Sequence, residues 1–161
     1  MSESDFFLKI DGIEGDSQDD KHKNEIHISS FSMGATNAGS GGKNQGSGTG
    51  KAQVHDIHIT KEVDKSTPNI FVNCVSGKHH KTATITARSA GEKPHEYLKI
   101  TLEEVFISGY QLHASGGKGH PKESFSLNFA TVEQEHKIQK ADGTAGAANK
   151  KKFDVKQHKA A

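Results

Sequence analysis

The 161-residue chain has no tryptophan, a single cysteine and only three prolines. The lone Cys74 excludes an internal disulfide, and with it the cross-linked scaffolds of small secreted domains. No stretch reaches the ~18 apolar residues that a membrane helix requires. The opening MSESDFFLKIDG lacks the basic start and apolar run of a secretory signal peptide. The expectation is therefore folding in the cytoplasm, with any export taking a route other than the general secretory pathway. An excess of one charge is missing too: the formal net charge is +1, which gives no general reason to bind nucleic acid or a membrane. Hydrophobic residues are scarce at 31%, and glycine raises the apolar share to only about 42%, below the roughly 45–50% of ordinary globular chains. A thin core follows, in which burial between subunits supplements what one chain can bury.

What the chain does have is period-two alternation, which argues against disorder. Thr82, Thr84 and Thr86 alternate with Ala83, Ile85 and Ala87. Leu98, Ile100 and Leu102 form a second such ribbon, and Phe125, Leu127 and Phe129 a third. Several ribbons change phase partway: Ile26 and Ile28 give way to Phe31 and Met33, Val54 to Ile57 and Ile59, and Leu102 to Val105 and Ile107. A phase slip marks a bulge or a strand crossing between packed sheets. The length fits one domain over residues 1–161, and three slips point to a mainly β chain whose strands bend at the corners of a closed or nearly closed barrel. One short helix is legible: Thr67 can cap it, Pro68 suits its first position and Gly77 follows its end. Ile70, Phe71, Cys74 and Val75 form its apolar stripe, which must pack on the sheets because ten residues cannot hold a helix alone.

Charge is unevenly placed. Residues 1–20 hold seven acids against Lys9, whereas residues 137–161 hold seven lysines against Asp142 and Asp154. Glycine concentrates in a segment running from Gly34 to Gly50 between two strands, far longer than the two to five residues a hairpin needs. The segment is not a phosphate cradle. Gln45 stands where a P-loop needs its first glycine, and Ala52 follows Gly50-Lys51 in place of Ser or Thr. His55 and His58 are three apart and so face opposite sides of a strand, and one cysteine cannot build a structural zinc site. Cys74 lies on the helix's apolar stripe and reads as a small buried hydrophobe. No nucleophile elbow or acid–base pair is present, and few aromatics interleave with Lys150-Lys151-Lys152 to stack bases. The reading is a non-enzymatic chain with no metal, cofactor, nucleic-acid or membrane partner.

Phe7-Leu8-Lys9-Ile10-Asp11-Gly12-Ile13-Glu14-Gly15, Val54-His55-Asp56-Ile57-His58-Ile59-Thr60-Lys61 leading to Thr67-Pro68-Asn69, and Glu96-Tyr97-Leu98-Lys99-Ile100-Thr101-Leu102-Glu103-Glu104-Val105 carry a resemblance. With Leu127-Asn128-Phe129-Ala130 and Gln139-Lys140-Ala141-Asp142-Gly143, in that order and spacing, the chain resembles the haemolysin-coregulated protein (Hcp) family of type VI secretion. The tail after Gly143 departs most from the family pattern. Phe31-Ser32-Met33-Gly34 and Phe153-Asp154-Val155 stand where family members often carry tryptophan. The resemblance implies two antiparallel sheets closed into a small barrel with one helix, assembled as a hexameric ring that stacks into a tube within a sheath, is capped by a spike and is expelled with small effectors. A secreted effector carrier or chaperone, or a phage-like tail-tube protein, are the alternatives it leaves. It implies that Ser30 and Ser32 face the ring lumen. The glycine loop, Gly39, Ser40, Gly41, Gly42, Lys43, Asn44, Gln45, Gly46, Ser47, Gly48, Thr49 and Gly50, is expected to touch the next ring. The charge asymmetry makes Lys150, Lys151 and Lys152 candidates for axial contacts between rings.

Overall fold

The computed structural model describes residues 3–38 and 52–161. Its elements are β1 (Ser4–Ile10), β2 (Ile26–Ile28), β3 (Ser30–Ser32), β4 (Ala35–Asn37), β5 (Ala52–Val54), β6 (Ile57–Glu62), α1 (Thr67–Ser76), β7 (His79–Ser89), β8 (His95–His113), β9 (Lys122–Asn128), β10 (Thr131–Gln139), β11 (Ala145–Asp154) and β12 (Lys159–Ala160). Ten strands form one antiparallel sheet and β4 pairs with β5 in a second. The large sheet folds over as two layers. One runs β12-β11-β10-β8-β7-β1-β2, and the other branches from β8 through β9 and β6 to β3.

β8 belongs to both layers. It pairs with β7 along one edge, while its other edge serves β10 over Leu98–Glu103 and β9 over Phe106–His113. The handover falls at Glu104, whose φ is 50°. This is the phase slip read from the sequence: Ile100 and Leu102 before it and Val105 and Ile107 after it are all buried, although the parity has changed. The slip after Ile28 is likewise a corner, at Ser29 between β2 and β3, where the Ser29 amide donates to the Thr60 carbonyl (2.8 Å). The core lies between the layers, with Leu8, Ile26, Ile85 and Ile100 from one side meeting Ile57, Ile59, Phe125 and Leu127 from the other.

The expected closure into a barrel is not found. The hydrogen-bonded path is open and ends at β12, β2 and β3. β2 and β3 lie end to end along one chain with only Ser29 between them, so no ladder joins them. The phase slips signalled corners correctly, but a corner bends a strand from layer to layer without requiring that the sheet meet itself.

The helix is held differently from the expectation. Ser66, not Thr67, is its N-cap, and Gly77 ends it at φ 65°, a left-handed conformation that suits glycine. Of the predicted stripe only Ile70 is buried; Cys74 is half-buried, while Phe71 and Val75 are exposed. The anchor is polar. Lys61 of β6 is wholly buried, and its ammonium reaches Glu123 of β9, the Asp64 carboxylate (2.9 Å) and the Glu62 carbonyl (2.9 Å). Thr67 at the helix start and Tyr110 of β8 both donate to Glu123 (2.8 and 2.7 Å). Burial first, and the Glu123 carboxylate second, push the Tyr110 phenol well above its usual pKa. A buried pair is strongly destabilised when one partner alone is removed, because the other is left as an uncompensated charge. Lys61→Met is therefore expected to cost ~3–5 kcal/mol in denaturant unfolding, with Lys61→Met/Glu123→Leu regaining part of it. A single variant within 1 kcal/mol of the parent would mean that water already solvates the cluster.

Candidate functional site

Ser30 and Ser32 lie on the outer face of the β3-β6-β9-β8 layer, and both are exposed. Register builds two rows around them. Ser30 stands opposite Thr60, Thr60 opposite Ser124 and Ser124 opposite Gln111. The next row is Ser32, His58, Ser126 and Gly109. Neither row holds a carboxylate, an ammonium or a large apolar side chain. Asp56 at its border is occupied locally, accepting from Ser108 Oγ (2.5 Å) and Asn128 Nδ2 (2.9 Å). The face offers hydroxyls, one imidazole and amides, which form hydrogen bonds that water readily replaces.

The opposite outer face, on β10 and β11, is a ladder of alternating charge. Glu133 stands opposite Lys152 and Glu135 opposite Lys150. Lys150 is 3.5 Å from Glu133, Lys152 is 2.6 Å from Glu103, and Lys137 is 3.6 Å from Glu135. The Glu103 carboxylate raises the Lys152 pKa. Of the three candidate lysines, Lys150 and Lys152 share this face and have partners within the chain. Lys151 pairs with Gln134, points to the other side of the strand and is exposed. The candidate loop from Gly39 to Gly50 lies outside the described residues; β4 and β5 flank it, with Ala35 opposite Val54 and Asn37 opposite Ala52.

A third cluster is absent from the sequence expectations. Phe7 points away from the core yet is buried, because the segment before β2 folds over it. His22 stacks on the Phe7 ring (centroids 4.3 Å apart), and Arg88 lies 4.8 Å above it. Arg88 donates through both terminal nitrogens to Asp19 (3.0 and 2.7 Å) and through one to Asp5 (3.3 Å). The segment crosses β2 closely at Gly15, where a Cβ would meet the Glu25 carbonyl oxygen at 2.6 Å and Ile26 Cα at 2.7 Å. The available signal was that Arg88 is the chain's sole arginine among 21 basic residues. A planar fork is needed where a carboxylate is held at two points, and lysine cannot supply it. The acidic N-terminal segment is thus partly neutralised at home.

Among the described residues no three His, Cys, Asp or Glu side chains gather as a metal set, and no helix is long and apolar enough to cross a membrane. Residues 7–136 match the family described as type VI secretion system effector, Hcp. The chain belongs to the Hcp family. It is 42% identical over 156 residues to the protein Hcp1 of Pseudomonas aeruginosa, covering 96% of each chain. The crystal structure of Hcp1 from Salmonella typhimurium superposes with a TM-score of 0.81 at 33% identity, covering 100% of both chains. A structure described as a type six secretion system protein reaches a TM-score of 0.92 at 26% identity, covering 99% of this chain and 100% of that one. The family is one of structural, secreted tube proteins and not of enzymes, which agrees with surfaces that differ in charge and polarity rather than in reactive groups.

The Arg88 centre has a pH signature. The Arg88 guanidinium beside Asp19 holds its carboxyl down to about 2. A depressed carboxylate stabilises the fold above its unfolded pKa of ~3.9 and loses that contribution as pH falls through the folded value. Melting temperature should therefore drop more steeply between about pH 4 and pH 2 in the parent than in Asp19→Asn. At pH 7 that variant should lose about 1 kcal/mol or less, since the pair is partly exposed. Parallel curves for the two proteins across that window would show that the pair contributes nothing.

Proposed function

We propose that the chain is the subunit of the type VI secretion inner tube. Six copies close a ring, rings stack inside the sheath below the spike, and the tube leaves the cell with its effectors by that machine rather than through the general secretory pathway. The observation that carries the reading is the family match, extending at 42% identity over almost the whole of both chains. The physics agrees: the sheet path is open, its ends are strand edges, and edges left bare in a monomer are liabilities that a ring removes. Static light scattering of the purified protein should give a six-chain mass, and a monodisperse monomer at micromolar concentration would refute the ring.

The hydroxyl-lined face around Ser30 and Ser32 favours a second, compatible role, that of effector carrier. In the ring this face lines the lumen, where small effectors ride against a wall whose two central rows carry no charge. The glycine loop reaches the next ring. Glycine maximises the entropy lost on ordering, and doubling a loop's length costs only about 0.6 kcal/mol, so the loop's length serves contacts outside the subunit. Replacing Gly39 to Gly50 by a short turn should leave the melting temperature nearly unchanged and abolish tubes and secretion; normal secretion would make the loop a passive connection.

Stacking also draws on charge, with Lys150, Lys151 and Lys152 at the ring-to-ring contact. Exposed pairs contribute only about 0–1 kcal/mol each and are screened beyond a Debye length of ~8 Å at physiological salt, but a ring repeats them six times. Raising salt should separate tubes into rings well before rings into monomers, and changing all three lysines to Glu should do so at low salt. Negative-stain images showing tubes indifferent to both treatments would leave stacking to the loop alone.

A further inference from the structure

α1 holds its place through the Lys61–Glu123 cluster and gives the core one fully buried side chain, Ile70, with Cys74 half-buried against it, so Phe71, Val72 and Val75 are free for another use. Phe71 is 50% exposed, Val72 57% and Val75 74%. Phe71 leans on Tyr110 of β8 (centroids 5.5 Å apart), and Leu112, two residues further along the same side of that strand, is 55% exposed. Four apolar side chains of this size, each at least half exposed, present on the order of 400 Å² of surface, as much as the largest patch on a typical monomer. This ridge stands at the β8 flank of the β3-β6-β9-β8 layer.

The other flank carries a complementary feature. Beside β3, a mostly apolar groove of about 660 Å³ runs between the β4–β5 pair and β10 and β11, lined by Met33, Ala35, Val54, Val132 and Phe153, with Lys151 and Lys152 also along it. Among the described residues no side chain of the same molecule fills it. Each flank also has an open strand edge among the described residues. β3 pairs only with β6, and β8 beyond Phe106 has no partner on the edge that β7 occupies before it.

An apolar ridge on one flank and an apolar groove on the other cannot meet within one molecule. Between molecules they give a heterologous, head-to-tail contact, the kind that closes a ring when its rotation closes. We infer that the α1 ridge of one copy seats in the β4–β5 groove of the next, with Val75 and Phe71 leading. The inference rests on the ring reading above and names the surfaces that would build it. About 400 Å² a side is half of the ≈800 Å² per partner of a standard stable interface. The ridge therefore serves as the apolar centre, and the open edges of β3 and β8 supply the remainder. The same geometry explains why the helix is anchored by buried charges: its apolar residues are reserved for the neighbour.

The test is a disulfide between copies, in a Cys74→Ser background. Val75→Cys with Ala35→Cys, oxidised in intact rings, should run on non-reducing gels as a ladder ending at six chains, while either cysteine alone gives no ladder. Val75→Glu changes an exposed residue, so its melting temperature should match the parent's while its mass by light scattering falls from ring to monomer. Rings of six-chain mass that give no ladder, or that persist in Val75→Glu, overturn the ridge-in-groove contact and leave the ring reading intact. A parent that is itself monomeric overturns both.

Discussion

Because Glu104 takes a φ of 50°, β8 changes layer without leaving its ladder with β7. The left-handed conformation costs a non-glycine residue roughly 1–2 kcal/mol, and it is offset by ladder hydrogen bonds that continue on both sides of the corner. Everything else in the fold is placed by that corner. It hands the free edge of β8 from β10 to β9, which sets two layers face to face with Ile100 and Leu102 on one side and Ile107, Phe125 and Leu127 on the other. It also fixes which ends of the sheet stay open. A sheet folded on one shared strand encloses a core without having to close on itself, and β2, β3 and β12 remain as edges.

Alternation made most of the strands legible in advance, because a ribbon with one buried face must repeat every two residues. The slips after Ile28, Val54 and Leu102 were legible as corners for the same reason: an inward parity cannot change without a bend. What parity cannot say is which strand a bent strand meets next, and closure depends on that alone. The polar anchor was legible but easily passed over. Lys61 continues the inward parity of Ile57 and Ile59, and Glu123 that of Phe125 and Leu127, so each sits where an apolar residue would be expected. Two opposite charges at inward positions on strands that pair, Lys61 opposite Glu123, are a signal only once the pairing of β6 with β9 is known. Phe7 is the reverse case: its parity points outward, and nothing in the sequence says that residues 15–25 will fold back over the outer face of β1. Of the candidate site residues, Ser30 and Ser32 fall together on one face, whereas Lys150 and Lys152 are separated from Lys151 by the strand's own alternation.

The buried cluster and the spare ridge have one cause. A ten-residue helix with one buried apolar side chain has too little hydrophobic burial to be held by it. Lys61, Asp64, Thr67, Tyr110 and Glu123 replace that burial with directional bonds to three different strands and the helix start. Such a network adds less net stability than apolar packing of the same volume, but it permits fewer arrangements, because each member satisfies a particular partner. The helix is thereby fixed in rotation, and Phe71, Val72 and Val75 face outward in every copy.

A chain with open edges and an apolar ridge risks associating with anything, and the outer surfaces limit that risk. The strands at the ends of the hydrogen-bonded path are short: β2 and β3 have three residues each and β12 two. Short edges template poorly, and Lys159 on β12 adds a charge that resists pairing with an unrelated strand. The β10–β11 face is laced with alternating Lys and Glu, so a second copy laid on it out of register meets like charges. The β3-β6-β9-β8 face has no charge in its two central rows and nothing large and apolar, so it attracts neither a neighbour nor its own copies. The apolar surface lies on the flanks instead, the ridge beside the open edge of β8 and the groove beside that of β3. A molecule whose two broad faces offer little apolar surface, and whose flanks offer more, is built to bury its apolar residues sideways.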